Sequence, residues 1–352
     1  MSEHVQRAQL KSSILVNKMK ELASILKNSN ARKWGLVTDP EALTYNKFSS
    51  WVEKGDNGIL SYLEGERKEL RENLLNYFPE FKSALVFAFD YSKEASLTKE
   101  FYQSPDSNGY KIANYVLGFQ GQDYHYYLRR SLETIASEIK HLFPSANIMH
   151  SLDTQPVLER DLAQKAGLGW FGKNSMIIDR EFGSYFIIGS LFLDIDLSLH
   201  GLSHPLIDTD HCGNCTKCID ACPTDAIDAT SRTLIANKCI STFTIEIFKD
   251  AEAPVGMESG TGEIFGCDIC QDVCPWNKKS LKTYINSTVD HENFKSKNQS
   301  IFENFLTPKI ESIIEKLESI SNREYRRQFK GTPLERTGRV GMLKNLKFYK
   351  KD

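Results

Sequence analysis

The stretch Cys212-Gly213-Asn214-Cys215-Thr216-Lys217-Cys218-Ile219-Asp220-Ala221-Cys222-Pro223 decides how the rest of the chain is read. Its spacing is C-x2-C-x2-C-x3-C followed by proline, a run that grips iron–sulfur cubanes. Three thiolates close in sequence hold three corners of one [4Fe–4S] cluster, and the fourth, just before proline, reaches a second cluster. Another run follows at Cys267, Cys270 and Cys274, again with three residues before the last cysteine and Pro275 after it. Its missing first member is supplied from a distance by Cys239. Crossing the fourth ligands assigns Cys212, Cys215, Cys218 and Cys274 to one cluster and Cys222, Cys239, Cys267 and Cys270 to the other. The chain has eight cysteines, so two clusters leave none over. Zinc also takes C-x2-C pairs, but it does not require the x3-Cys-Pro ending on both runs. A structural role for inert clusters is the other alternative. Two neighbouring clusters more often form a wire for single electrons.

Cysteines confined to one short region of a 352-residue chain argue for metal rather than for disulfides, and so for a reducing compartment. The N-terminus lacks the charged start, apolar core and small cleavage residues of a secretory signal. No apolar run approaches the roughly 20 residues that span a bilayer. A cytoplasmic protein with no membrane partner, acting as a monomer, is the expectation. The composition, 40% hydrophobic and 26% charged, is that of a globular protein. The formal net charge of −2 provides no global field for nucleic acid, so local patches must carry any such binding.

Outward from the cysteines, strands and helices interleave. Helical periodicity covers 4–28, through Val5, Leu10, Ile14, Leu22 and Leu26. Strands are expected over 34–38, 84–89, 147–152, 175–178 and 185–193. Leu128, Leu132, Ile135, Ile139 and Leu142 define an amphipathic helix stopped before Pro144. A further helix over 157–166 ends at Gly167. The whole reads as an α+β protein of three parts. An α/β domain occupies 1–204, a ferredoxin-like double-cluster module 205–280, and a short basic α-helical, HEAT-like segment 281–352. From Asn322 to Asp352 the balance of charged residues is +7. Basic residues there include Arg323, Arg326, Arg327, Lys330, Arg336, Arg339, Lys344 and Lys347. They are expected to face outward while Leu334, Val340, Leu343 and Leu346 hold the helix on a core.

Several further stretches carry a resemblance. Gly266-Cys267-Asp268-Ile269-Cys270-Gln271-Asp272-Val273-Cys274-Pro275-Trp276-Asn277 forms the second run, and Cys239-Ile240-Ser241-Thr242-Phe243-Thr244-Ile245-Glu246 carries the lone cysteine. Upstream lie Asp153-Thr154-Gln155-Pro156-Val157-Leu158-Glu159-Arg160 and Ala166-Gly167-Leu168-Gly169-Trp170-Phe171-Gly172-Lys173-Asn174-Ser175. Their joint order, from about Arg71 to Asn345, resembles the epoxyqueuosine reductases, cobalamin-dependent iron–sulfur enzymes that complete queuosine in tRNA. The resemblance implies a base-off corrinoid between the N-terminal domain and the cluster module. It implies electrons passed singly to cobalt, reaching Co(I), and reduction of the epoxide to an alkene at the wobble base. The partners implied are tRNAs reading Tyr, His, Asn and Asp codons, and a low-potential electron donor that the sequence does not identify.

By the same resemblance Asp153 is the proton donor, and burial beside an apolar corrin would raise its pKa for that task. Read from its neighbours alone, Asp153 is a helix N-cap rather than an acid. Cofactor contacts are implied for Arg71, His125, Arg160, Gly172, Lys173, Asn174, Ser175, Ser241 and Thr244. Bland alternatives stand beside them: a solvated face for Arg71 and Arg160, a packed helix residue for His125, a plain turn for Gly172-Lys173-Asn174-Ser175. Ser241 and Thr244 have hydrogen bonds within the cluster loop as theirs. Asp123-Tyr124-His125 fits the family, whereas Gly118 and Phe119 replace its usual tyrosine-alanine. Tyr110, Tyr115, Tyr124, Tyr126 and Tyr127 are candidates for base-stacking walls or for core. Reductive dehalogenases of small organohalides share the corrinoid and two-cluster plan, and a non-catalytic electron-transfer protein is the remaining alternative. The first carries an export signal and the second predicts no corrinoid pocket.

Overall fold

Eight consecutive residues, Ser83–Asp90, form the central strand, and their alternation organises the first half of the molecule. The computed structural model describes residues 16–207, 209–284 and 290–350. Four strands make the main sheet: β1 (Lys33–Val37), β2 (Ser83–Asp90), β3 (Ile148–Ser151) and β4 (Phe186–Leu193). Their spatial order is β1-β2-β4-β3. Every pairing is antiparallel, and β2 pairs with β4 along its full length, from Ser83 opposite Leu193 to Asp90 opposite Phe186.

Successive side chains of a strand point to opposite faces. Leu85, Phe87 and Phe89 therefore enter one core, and Ala84, Val86 and Ala88 another. The first face is covered by the helix α1 (16–27), through Leu22 and Leu26, and later by Leu128, Leu132, Ile135 and Ile139. A helix α2 (Tyr45–Glu53) leads away from β1. Helix α3 (Tyr124–Leu142) supplies the second set of covering residues and ends just before Pro144, as its periodicity predicts. The other face is covered by α4 (Glu159–Lys165), through Leu162 and Ala163. It closes at Ala166, and Gly167 takes φ +67°, the left-handed conformation that follows many helix ends. The expectation of an α/β first domain is thus corrected to α+β. A strand buried on both faces reads as one apolar run whichever way its neighbours point. The predicted helix before residue 16 lies outside the described residues.

The cysteine-rich segment carries two short helical turns, Lys217–Asp220 and Ile269–Asp272, which pack on each other. A small hairpin, Ile227–Asp228 with Thr233–Leu234, lies between the runs. The segment is tied to the first domain by a short parallel pair, Lys111–Ile112 with Glu263–Phe265. Trp170, His211 and Trp276 form a second tie, with ring centroids 4.8 to 5.9 Å apart.

Beyond it come α5 (Ile310–Ser319), α6 (Asn322–Gln328) and α7 (Leu334–Tyr349). They share one core with Leu97, Phe101 and Val116 of the first domain and with Ile264 and Phe265 of the cysteine module. That core crosses the divisions expected at 204 and 280. Two expected orientations are corrected. Lys344 is buried, its Nζ donating to the Phe243 carbonyl oxygen and lying 3.4 Å from that ring's centre, while Val340 is exposed. Gly338, at φ +67° and ψ 174°, breaks the helix, and beyond it residues 341–346 are all buried, so that Lys344 is covered along with Leu343 and Leu346. Among the described residues no helix is long and apolar enough to cross a membrane.

Candidate functional site

The sheet domain and the cysteine module enclose a cavity of about 1100 Å³. That exceeds the ~300–1,000 Å³ of pockets for drug-sized ligands. Ile187 and Ile188 of β4 and Phe48 and Trp51 of α2 give it apolar walls. Cys239, Thr242 and Ile245 line it from the cysteine module, and Arg336 of α7 lies at its edge. Arg336 pairs with Glu246 at 2.7 Å.

Asp153 faces this cavity. The Tyr124 hydroxyl donates to its Oδ2 at 2.6 Å, and His125 Nε2 lies 3.6 Å from the same oxygen. Asp123 starts the arrangement. Its Oδ1 caps α3 by accepting from the His125 amide and lies 2.8 Å from His125 Nδ1. Burial opposes the charge on His125, but the hydrogen bonds and charges of Asp123 and Asp153 outweigh it and push its pKa up to about 9. Burial alone would raise Asp153. The bonds from His125 and Tyr124, with the charges of His125 and Arg336, instead hold it below the usual carboxylate range. The expected upward shift is therefore corrected: the polar neighbours outweigh the apolar wall. The upward shift belongs to Glu159, which burial and then the charge of Asp153 push up to about 8. Nor does Asp153 cap a helix, since α4 begins six residues later.

Asp153, Ser175 and Arg232 adopt φ of +58°, +64° and +57°, three of the five non-glycine residues in that region among those described, and all three line the cavity. Such conformations persist where the surroundings over-determine them, and they gather at functional sites. Here the surroundings form a chain. Arg160 Nη1 donates to the Ser175 carbonyl oxygen at 2.6 Å, and the Ser175 hydroxyl donates to the Arg232 carbonyl oxygen at 2.5 Å. Arg232 Nη2 donates to Asp210, which accepts from the amide of Cys212. The wall of the cavity is thereby bonded to the first cysteine run.

The other expected contacts divide. Arg71 lines the cavity and is buried, with its guanidinium over the Phe48 ring, so the solvated alternative is excluded for it. Arg160 is accessible from the cavity yet enclosed by protein, which pulls its pKa down. Tyr115 and Tyr124 line the cavity, Tyr110 packs against Tyr349 and Tyr127 against Phe119, and Tyr126 is exposed. Gly172, Lys173 and Asn174 fall outside the lining, and Lys173 Nζ donates to the Gly213 carbonyl oxygen at 2.7 Å. Ser241 and Thr244 also fall outside. Thr244 is fully buried and bonds Ile240 and Gly266 within the module. The Thr242–Glu246 segment is a π-helical turn, whose wider winding brings Thr242, Ile245 and Glu246 to the cavity instead.

The thiols act on one another in two groups joined by one link. Cys218 lies within electrostatic reach of Cys212 and Cys274, and Cys274 within reach of Cys212 and Cys215. Cys239 feels Cys222, Cys267 feels Cys270 and Cys239, and Cys270 feels Cys239 and Cys222 besides Cys218. Burial, then mutual repulsion, pushes the thiols of Cys218, Cys239, Cys267, Cys270 and Cys274 up; Cys218 reaches about 11. Thiolates so placed need cationic iron to stay ionised. Main-chain amides point at the sulfurs, including that of Ala226 at Cys222, 3.4 Å away, and those of Ser241 and Thr242 at Cys239. Such bonds set cluster potentials. Among the described residues no three His, Cys, Asp or Glu side chains close on a single metal ion. A cubane, with one thiolate on each iron, asks for a wider frame.

A family described as a 4Fe-4S double cluster binding domain matches residues 211–277, and one described as epoxyqueuosine reductase QueG, DUF1730, matches residues 71–154. The epoxyqueuosine reductase of Xanthomonas campestris pv. campestris is 33% identical over 300 residues, 84% of this chain and 76% of its own. The chain belongs to the epoxyqueuosine reductase family. The relative from Leadbetterella byssophila is 33% identical over 304 residues, 86% of this chain and 88% of its own. The epoxyqueuosine reductase of Streptococcus thermophilus shares the fold, with TM-score 0.73 and 24% identity over 93% of this chain and 79% of that one. Another solved member, in complex with a tRNA-Tyr epoxyqueuosine-modified stem loop, has TM-score 0.66 and 25% identity over 96% of this chain and 80% of that one. Of the residues that face the cavity, Arg232 carries no signal in the sequence, Arg336 shows only as one of the basic residues near the C-terminus, and Glu159 and Glu246 stand in the stretches that carry the resemblance without being singled out there.

Proposed function

We propose that this chain reduces epoxyqueuosine to queuosine at the wobble position of tRNA, using a corrinoid in the cavity and two [4Fe–4S] clusters on the eight cysteines. One observation carries the reading: the cavity is lined both by Asp153, held among proton-bearing groups, and by Cys239, a cluster ligand in the crossed assignment. Electrons and protons thus arrive at one place. The volume and mixed walls of the cavity suit a large cofactor with polar side chains; Ile187, Ile188, Phe48 and Trp51 would meet its ring, and Arg71 and Arg160 its amide or phosphate groups. When bound, the corrinoid supplies the low-potential two-electron chemistry that no side chain offers.

The residues of the chain manage the protons. Removing the epoxide oxygen as water takes two electrons and two protons. Asp153 is ionised at rest, and His125 beside it is protonated at neutral pH. A proton passed from His125 to Asp153 makes the acid that the departing oxygen needs. Tyr124 fixes the carboxylate that receives it. The base must leave the anticodon stack to reach this point. Substrates are the tRNAs for Tyr, His, Asn and Asp, and the electrons come from a low-potential one-electron donor.

The test is anaerobic turnover by reconstituted protein with cobalamin, a low-potential reductant and epoxyqueuosine-containing tRNA, with nucleosides read by mass spectrometry. Loss of one oxygen mass that depends on cobalamin is the expected result. No conversion, with both clusters reducible and cobalamin bound, would overturn the reading and point to another corrinoid reductase.

A further inference from the structure

Behind the carboxylate that faces the cavity stands a second one. Glu159 opens α4, and its Oε1 accepts from the main-chain amide of Asp153 at 2.6 Å. The Ser151 hydroxyl lies 3.5 Å from the same oxygen. Asp153 itself sits at φ +58°, a conformation that L-residues rarely hold without support. Three more side-chain bonds brace the loop: the Leu152 amide donates to Gln155 Oε1 at 2.8 Å, Arg67 Nη2 to the Thr154 carbonyl oxygen at 3.0 Å, and the Tyr124 hydroxyl to Asp153 Oδ2 at 2.6 Å, but of these none reaches the Asp153 amide. The strained residue, the carboxylate aimed into the cavity and the bond from Glu159 all meet at one amide.

We propose that Glu159 is a positioning residue: its carboxyl group latches the amide of Asp153 and holds the 152–158 loop so that Asp153 points into the cavity. The proposal rests on the reading of Asp153 as the group that delivers protons. In that reaction both C–O bonds of the epoxide break, a C=C bond forms, and the oxygen leaves as water. It consumes two protons from the enzyme and two electrons from a one-electron donor of low potential. Proton delivery works only within hydrogen-bond reach, and a ~1 Å misplacement costs about 10²-fold in rate.

The electrostatics agree with a latch. The charged groups acting on Glu159 are Asp153 and His125, and Glu159 in turn acts on Arg71 and Arg160. Burial and then Asp153 hold its pKa near 8, so at neutral pH it carries a proton. A neutral carboxyl still accepts from the amide through one oxygen and does not repel Asp153. Ionisation at higher pH sets two carboxylates side by side, and their repulsion outweighs the stronger bond that a charged oxygen makes to the amide, so the latch loosens.

The test compares Glu159→Ala with Glu159→Gln in the full-length reconstituted protein. Hydrogen–deuterium exchange of the 152–158 loop, kcat, KM for tRNA and cobalamin uptake are measured. In the alanine variant the loop exchanges faster and kcat falls about 10²-fold, with cobalamin still bound. Glutamine keeps the carbonyl acceptor, so it restores the protection and most of the kcat, and it moves the alkaline limb of the rate profile from near 8 toward the 9 at which His125 loses its proton. An alanine variant with a loop as protected as the wild type overturns the proposal. So does a glutamine variant as slow as alanine with its loop protected, which would make Glu159 the acid itself. If the alanine variant does not fold, the glutamine variant decides alone, and an unchanged alkaline limb overturns the latch. The exchange arm uses no substrate, so absence of turnover in the wild type would sink the activity reading while leaving the latch tested.

Discussion

A carboxylate that its neighbours keep ionised acts as an acid only if one of them returns a proton to it. Asp153 is in that position, between Tyr124 and His125. The Asp153→Asn variant keeps the volume and loses the exchangeable proton. Its turnover is expected to fall by ~10²–10⁴, the range of general acid catalysis, with cobalamin binding unchanged in the absorption spectrum. Full activity would remove Asp153 from the mechanism. His125 gives a pH signature of its own. Its pKa is raised in the folded state to about 9 from an ordinary 6.5. The stability it contributes is therefore complete below pH 6.5 and lost as pH rises through 9. Thermal midpoints measured anaerobically should drop between those limits, and His125→Gln should make the drop shallower. Glu159 slopes the same way from pH 4.5 to 8, so a residual decline is expected in that variant. At this scale the cysteines were legible from their local spacing, and Asp153 only through the resemblance. Glu159 stands in the same stretch, but nothing there marks it as the partner of the Asp153 amide, and Arg336 comes to Asp153 only through the fold.

The elements were legible where their periodicity ran unbroken. In α3 the predicted Leu128, Leu132, Ile135 and Ile139 are the buried face. In α7 the same reasoning failed at Lys344 and Val340, because beyond the break at Gly338, with φ +67° and ψ 174°, residues 341–346 are buried on every side and no one face is left to solvent. Ser241 and Thr244, whose cofactor contacts only the resemblance implied, lie outside the cavity lining, because the π turn at Thr242–Glu246 brings Thr242, Ile245 and Glu246 to it, and such a turn leaves no mark in hydrophobic spacing. Gly338 is testable by itself. A Cβ added there meets nothing within 4 Å, so Gly338→Ala carries no steric clash, only backbone strain. Its φ and ψ belong to a region that is essentially glycine's, and alanine should cost about 1–3 kcal/mol in denaturant unfolding. A variant as stable as the parent would mean that α7 straightens without loss, and with it that the inward turn of Lys344 is not imposed by the kink.

For the whole molecule the open question is what the C-terminal helices are for. Their charge suggested an appended basic surface, and part of that holds: Arg323, Arg326, Arg327 and Lys330 are exposed on and beside α6. Their burial pattern says something else as well. Leu334, Met342 and Leu346 of α7 are fully buried in the core shared with both preceding parts. Asn345 Nδ2 donates to the carbonyl oxygens of Thr244 and Ile264 at 2.8 and 2.9 Å, bracing the cluster loop from behind. Hydrophobic content alone could not reveal this, since a helix covering its own small core and one completing a shared core carry the same apolar stripe. The two roles separate by experiment. Arg326→Glu with Arg327→Glu changes only exposed charge. It should leave the thermal midpoint and the cluster spectrum unaltered, weaken tRNA binding, and flatten the dependence of log affinity on log salt by roughly 1 for each phosphate no longer neutralised. Deleting 334–352 removes four core side chains, Leu334, Met342, Leu343 and Leu346, and the brace on Thr244. Each large buried aliphatic residue removed costs about 2–5 kcal/mol, against a total stability of ~5–15 kcal/mol. The deletion is therefore expected to yield protein that neither folds stably nor retains its iron. If it instead folds, holds both clusters and loses only tRNA affinity, α7 is an appendage and the shared core is dispensable.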